Sequence, residues 1–327
     1  MVQYIIRRLV LLIPTLFAIS IVSFAIIQLP PGDFLTSYEA QLASQGEAAD
    51  KAALAALRER YGLGQPFYIQ YFKWVGGMLQ GDFGRSLEWN RPVAELIGAR
   101  LGMTLVLSLA TLLFTWIIAI PIGIYSAVRQ YSIGDYIASF LGFLGLATPD
   151  FLFALIVMWI AFAYFGQTID GLFSPAYADA PWSMGKVWDL LKHIWIPVIV
   201  IGVSGMASLI RVMRANLLDE LHKPYVETAR AKGMKEWHLL LKYPVRVALN
   251  PFVSTIGYVL PALVSGAIIV SVVMNLPTVG PLLLRALLSQ DMYLAGSLIF
   301  LLSALTVIGT LISDLLLAWL DPRIRLR

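Results

Sequence analysis

The sequence predicts an all-α, polytopic membrane protein with six transmembrane helices. Three observations carry that prediction. Of the 327 residues, 59% are hydrophobic and 13% are charged. A soluble domain carries about 25% charged residues, so this chain lacks the polar surface to cover a globule of its size. Apolar runs long enough to cross a bilayer core, which takes about 20 helical residues, recur along the chain. Basic residues gather in alternate connecting segments, the pattern of a chain that crosses a membrane repeatedly. There is no cysteine, which excludes disulfides and thiolate metal or redox chemistry.

Residues 1–31 read as a membrane anchor. Arg7-Arg8 precedes an apolar run over 9–29 that ends Gln28-Leu29-Pro30-Pro31. The apolar core of a cleaved signal peptide is about 7–15 residues and ends at small residues, so an uncleaved span fits better. Residues 32–100 are polar and mixed, and form a subdomain outside the membrane. Within it, residues 48–60 have helix-favouring composition, closed by Gly62, Gly64 and Pro66. Gly76-Gly77 and Gly81-Asp82-Phe83-Gly84 read as turns. A short helix is expected from Pro92 to Arg100, with proline just inside its start. The subdomain is either a solvated loop or a cap that meets an extracytoplasmic partner.

Residues 101–327 hold the remaining spans. The second covers 101–128, with Pro121 as a kink site. After a tight loop at 129–135, the run 136–165 is too long for one straight crossing, and Thr148-Pro149-Asp150 breaks it. A polar stretch, 166–193, leads to the fourth span at 194–212. A central polar loop occupies 213–250. The fifth span covers 251–274. Residues 275–293, with Pro277, Gly280 and Pro281, read as a short helix on or dipping into the membrane surface. The sixth span covers 294–320, before the tail Asp321-Pro322-Arg323-Ile324-Arg325-Leu326-Arg327.

Six spans put both termini on one side. That side receives fourteen basic and six acidic residues in its short segments, against ten basic and twelve acidic in the longer segments opposite. The positive-inside rule makes the first side cytoplasmic. Both termini and the 213–250 loop are then inside, and 32–100 is outside.

The central loop carries the chain's most distinctive stretch. Residues 217–231 have helical composition, interrupted by Pro224, which is acceptable as the first residue of a second helix. From there Tyr225, Thr228, Ala229 and Lys232 fall near one face, and Gly233 is placed to end the helix in a left-handed conformation. A basic amphipathic piece over 235–247, with Pro244 inside, follows. Two or three short helices joined at a glycine present small residues that let a partner approach the backbone, and Glu227 with its basic neighbours can pair across such an interface. An ordinary basic cytoplasmic loop with incidental helices is the competing reading. Asp150 places an ionisable group deep in an apolar run. Such a residue is expensive there and is by default functional, or else it caps the helix that restarts after Pro149.

At Tyr225-Val226-Glu227-Thr228-Ala229-Arg230-Ala231-Lys232-Gly233 the chain resembles the EAA loop of permease subunits of bacterial ATP-binding-cassette importers. It is most similar to the peptide/nickel group, of the oligopeptide or dipeptide "B" permease type. The resemblance extends over nearly the whole chain, through the Arg7-Arg8 span, Tyr61-Gly62-Leu63-Gly64-Gln65-Pro66, Gly81-Asp82-Phe83-Gly84-Arg85-Ser86 and Asp321-Pro322-Arg323. It departs from the general pattern at Thr228, which replaces an alanine, and at Tyr243-Pro244-Val245-Arg246, which replaces a later element of that pattern. Asp150 stands where serine is more usual.

The resemblance implies a type I importer-like fold in a bacterial inner membrane. It implies that the loop is a coupling helix seated in a cleft of an ATPase subunit. Glu227 would pair with the ATPase, Ala229 and Ala231 would permit close approach, Gly233 would set the angle between helices, and Tyr225, Thr228 and Arg230 would share the surface. Asp150 is the candidate for the substrate path. The implied partners are a second, similar permease in a heterodimer, two ATPase subunits, an extracytoplasmic binding protein and membrane lipid, with no nucleic acid. Peptides, nickel chelates, opines and oligosaccharides are carried by relatives.

No catalytic or metal site is expected. The sequence has no G-x-x-x-x-G-K-[ST] run to cradle phosphate in backbone amides, so ATP and magnesium belong to the partner subunits. His193, His222 and His238 lie far apart in sequence. A secondary transporter working without ATP is the rival class. It predicts inverted repeats and paired intramembrane charges, and the sequence shows no convincing repeat.

Overall fold

The computed structural model describes residues 2–28, 59, 64–86, 88–166, 170–254, 268–289 and 291–320. In chain order the helices are α1 (Val2–Gln28), α2 (Phe67–Leu79), α3 (Val93–Val128), α4 (Ile133–Ala147), α5 (Asp150–Phe165) and α6 (Met184–Leu221). They continue with α7 (Pro224–Ala231), α8 (Glu236–Lys242), α9 (Pro244–Ala248), α10 (Ile268–Val273), α11 (Val279–Leu288) and α12 (Met292–Leu320). Among the described residues the only β pairing is a single bridge between Arg85 and Pro92. The helix expected over 48–60 lies outside the described residues apart from helical Glu59, and so does the 321–327 tail.

The chain divides into two compact units. One comprises residues 2–104 and 278–307. Here α2 lies on α1 through a buried aromatic cluster of Phe24, Tyr71 and Trp74. Tyr71 and Ser20 share a hydrogen bond of 2.7 Å, which gives the buried hydroxyls a partner. Gly76-Gly77, expected as a turn, lies inside α2 instead. A Cβ on Gly77 would stand 2.9 Å from the Asp82 carbonyl oxygen, so glycine there serves close approach of the following turn. That turn does fall at Gly81–Gly84, with φ of +82° and +84° at its two glycines. Asp82 Oδ1 accepts the Gly84 N–H at 3.0 Å, a local bond typical of aspartate in turns.

The short helix expected from Pro92 to Arg100 is the first part of α3, which continues unbroken to Val128. Pro92 precedes it rather than opening it. Val93 and Ile97 pack with Val279, Leu282, Leu283 and Ala286 of α11 and Leu294, Ala295 and Leu298 of α12. Asp291, fully buried, accepts the Ser86 hydroxyl at 2.5 Å and the Leu294 N–H at 3.3 Å. It thereby ties the 84–92 segment to the start of α12.

The other unit comprises residues 105–277 and 308–327. The break foreseen at 148–150 is sharp: α4 and α5 turn by 103°. At 1.5 Å per residue each is about 22–24 Å long, short of a 30 Å hydrocarbon core. The expected single third span is therefore a bent pair. Many apolar side chains on it are uncovered within this chain, including Phe140, Phe143, Trp159 and Phe162. Helix α6 is longer at both ends than the 194–212 span expected of it, and it bends by 54° near residue 204. Its early start takes in residues 184–193 of the polar stretch, and its late end takes in residues 213–221 of the central loop. Among the described residues, three unbroken helical segments are long and apolar enough to cross a membrane: Ile6–Ile26, Val93–Val128 and Tyr293–Leu317. The expected fifth span falls largely outside the described residues, with helix at 251–254 and at 268–273 on its flanks.

Candidate coupling site

The 213–250 loop folds into a compact elbow on the end of α6. The reason is local. His222 and Lys223 stop α6, and Pro224 then opens α7 at a position where its missing N–H costs nothing. The eight-residue α7 ends at Ala231, and after its C-cap Lys232 comes Gly233 at φ +76°. The Gly233 N–H bonds the Arg230 carbonyl at 3.0 Å and the Met234 N–H bonds the Ala229 carbonyl at 3.3 Å. This is a Schellman motif, in which glycine holds the left-handed position and the residue beyond it packs back on the helix. Met234 does so, against Val226, Ala229 and Leu239.

These contacts fix which side of α7 is free. Val226 and Ala229 face inward onto Leu239 of α8. Ala229, expected on the sequence to let a partner approach, is instead the small residue that lets α8 close on α7. Tyr225, Glu227, Thr228, Arg230, Ala231, Lys232 and Gly233 are exposed. Arg230 reaches across the elbow to Glu236, with Nε to Oε1 at 2.5 Å and Nη2 to Oε2 at 3.2 Å. That bond holds the Glu236 carboxyl below its ordinary value and raises the Arg230 guanidinium. The Tyr225 hydroxyl donates to Glu220 of α6 at 2.5 Å. Partial desolvation, and then the bond to Glu220 and its negative charge, push its pKa well above the usual tyrosine range. The Thr228 hydroxyl donates to the Pro224 carbonyl at 2.8 Å.

The continuous amphipathic piece expected over 235–247 is two helices, because Pro244 starts a new one after Tyr243. The second, with the residues that follow it, seats the elbow: Val245 and Ala248 of α9 and Phe252 beyond it pack on Met213 and Leu217 of α6 and Ala127 of α3. Outward, α8 presents Trp237 and Leu241. The supporting residues Glu220, Met234, Glu236 and Leu239 were not singled out from the sequence. Nothing in their spacing marks them until the glycine turn brings α8 back over α7.

Asp150 occupies the first position of α5, one residue past the N-cap Pro149, and is half-buried. It therefore does not act as the N-cap, though a carboxylate in the first turn suits the helix dipole. Nδ1 of His193 lies 2.7 Å from the Asp189 carbonyl, and Nδ1 of His222 lies 2.8 Å from that of Leu218. Among the described residues no group of three or more His, Asp or Glu side chains is placed to hold a metal ion.

Residues 119–326 match the family described as the binding-protein-dependent transport system inner membrane component. Residues 1–110 match that described as the N-terminal part of the membrane component of such systems. The chain belongs to this permease family. The permease is 38% identical to the oligopeptide transport system permease protein AppB of Bacillus subtilis, over 99% of both chains. It is 33% identical to the dipeptide permease DppB of Alkalihalophilus pseudofirmus, over 99% of this chain and 100% of that one. To the glutathione transport system permease protein GsiC of Salmonella paratyphi A it is 31% identical, over 99% of each. The permease is thus a multi-pass membrane subunit of a binding-protein-dependent importer, which sets aside the secondary-transporter reading.

Proposed function

We propose that the chain forms one half of a translocation pathway for peptides or similar small solutes. It pairs with a second, related permease, and of the two ATPase subunits that supply the power stroke one seats on the α7 elbow of this chain. An extracytoplasmic binding protein delivers the substrate. The observation that carries this reading is the elbow itself. A short helix held by a Schellman motif, a small apolar core and an ion pair presents an ordered exposed face without a partner present. Preorganisation of this kind spares the ordering cost of docking. In this reading Tyr225, Glu227, Thr228, Arg230, Ala231 and Gly233 form the face or its edge, and Ala229 acts from beneath.

The relatives' names support a peptide-like substrate, since the three named above are called oligopeptide, dipeptide and glutathione permeases. The charge bias supports a cytoplasmic position for both termini and the elbow and an outer one for residues 32–100. The uncovered apolar side chains of α4 and α5 suit lipid or the helices of the second permease. Asp150, half-buried beside the break, is the residue proposed for the substrate path.

The test is affinity purification of the tagged chain from native membranes in mild detergent, with the bound proteins identified and ATP hydrolysis assayed. The expected result is co-purification of an ATPase and a second permease, with hydrolysis stimulated by a peptide-loaded binding protein. A chain that comes down alone under lipid-preserving and crosslinking conditions refutes the docking reading. Asp150→Asn should change peptide uptake or its selectivity. Unchanged uptake across a peptide panel removes Asp150 from the path.

A further inference from the structure

Away from the elbow's exposed face, an ion pair joins two elements of the same unit. Asp135, at the start of α4, is 2% exposed. It receives Nε and Nη2 of Arg214, each at 2.9 Å, and the Tyr131 N–H at 3.0 Å. The turn that presents it is stiff. Ser132 caps α4 through the Asp135 N–H, and Tyr131 is held at φ +62°. Gly134 lies so close under Tyr125 that a Cβ would stand 2.5 Å from its ring. Arg214 sits about two turns before the end of α6, which leads straight into α7.

Further along the α4–α6 contact, small residues meet. A Cβ on Gly142 would lie 3.7 Å from the Cβ of Ala207, and one on Gly145 would lie 3.6 Å from Val203. Small residues let the two helices approach closely, but they offer little to stop one from sliding along the other. Even a buried ion pair adds little net stability compared with a packed apolar pair, and here only Asp135 is buried, Arg214 being partly exposed. What a two-pronged guanidinium–carboxylate contact does supply is a fixed geometry.

We propose that Asp135 and Arg214 form a register pin, and that both are positioning residues for transport. The pin holds α4 at one register on α6. Displacement of α7 is then passed through α6 to the bent α4–α5 pair, instead of dissipating as slippage over Gly142 and Gly145. This role rests on the reading of α7 as the ATPase docking element. Sliding of packed helices is an established mode of conformational change, and the pin selects which sliding is permitted.

The chain has no cysteine, so introduced pairs report cleanly. Three variants are made in the reconstituted complex: Asp135→Asn, Arg214→Lys, and the apolar pair Asp135→Leu with Arg214→Met. Lysine keeps the charge but loses the fork. The apolar pair keeps the packing and controls for a purely structural role. Each is also combined with Gly142→Cys and Ala207→Cys, whose Cβ spacing of 3.7 Å suits a disulfide. All three variants should retain bound ATPase. Substrate moved per ATP hydrolysed should fall at least about five-fold, the lower end of ordinary coupling effects, and the introduced disulfide between positions 142 and 207 should form in lower yield. Normal transport per ATP together with normal disulfide yield in the apolar pair overturns the pin. A wild-type chain that never retains ATPase counts against docking instead, and the disulfide yield still decides whether the pair sets the register. If Asp135→Asn fails to insert, Arg214→Lys carries the test.

Discussion

Gly233 is the position at which the elbow can be perturbed with the least collateral change. Its φ is +76°, and a Cβ built there meets nothing within 4 Å. A side chain at 233 therefore pays only for backbone conformation. That cost is about 1–2 kcal/mol for an L-residue in the left-handed region. If the docked elbow needs this geometry, Gly233→Ala should weaken ATPase binding by about 5- to 30-fold. Asparagine, which tolerates this region better than other side chains, should weaken it less. Proline is of another order. Its ring locks φ near about −65°, and it deletes the N–H that bonds the Arg230 carbonyl. A cost above about 3 kcal/mol corresponds to more than about 100-fold in affinity. The assay titrates purified ATPase onto the permease pair in nanodiscs and measures uptake by the same preparation in vesicles. The expected order is glycine, asparagine, alanine, proline in both affinity and transport, with membrane insertion unchanged because 233 lies outside the spans. A proline variant that binds ATPase and transports as the wild type does would refute the argument.

Leu239→Ala should loosen the elbow by about 2 kcal/mol, the low end for a buried leucine because the cluster is small. Faster proteolysis within residues 232–243, with insertion intact, is the readout. The Arg230–Glu236 pair gives a pH prediction of definite sign. The depressed Glu236 carboxyl contributes above its unfolded value and is lost as pH falls through its folded one. Proteolysis of the elbow should therefore be flat from neutral pH down to the ordinary carboxylate range and rise only below it. Because the pair is exposed, the effect should be small and salt-sensitive. Gly123→Ala should destabilise the permease by about 1–3 kcal/mol through overpacking, since a Cβ there would stand 2.6 Å from that of Met213. A melting temperature equal to that of the wild type would show that α3 and α6 can separate at no cost.

Features that depend on local chemistry were legible in the amino-acid order. The apolar runs marked the membrane-length helices at Ile6–Ile26, Val93–Val128 and Tyr293–Leu317, because the bilayer core demands a fixed length of apolar helix. Pro149 located the break between α4 and α5, and Pro224 and Gly233 marked the two ends of α7, because their backbone limits act wherever they stand. Features that depend on partners distant in the chain emerged only with the packed fold. Gly76-Gly77 looked like a turn and lies in a helix, because the next turn needs the space above Gly77. Ala229 looked like an open face and is an inner one, because α8 folds back over it. Arg230 is satisfied by Glu236 within the elbow. Asp135 and Arg214, 79 residues apart, are joined only because α4 packs on α6. Composition and spacing limit which conformations each segment can adopt, but which face of a segment is covered, and by what, is set by the neighbours that folding brings to it.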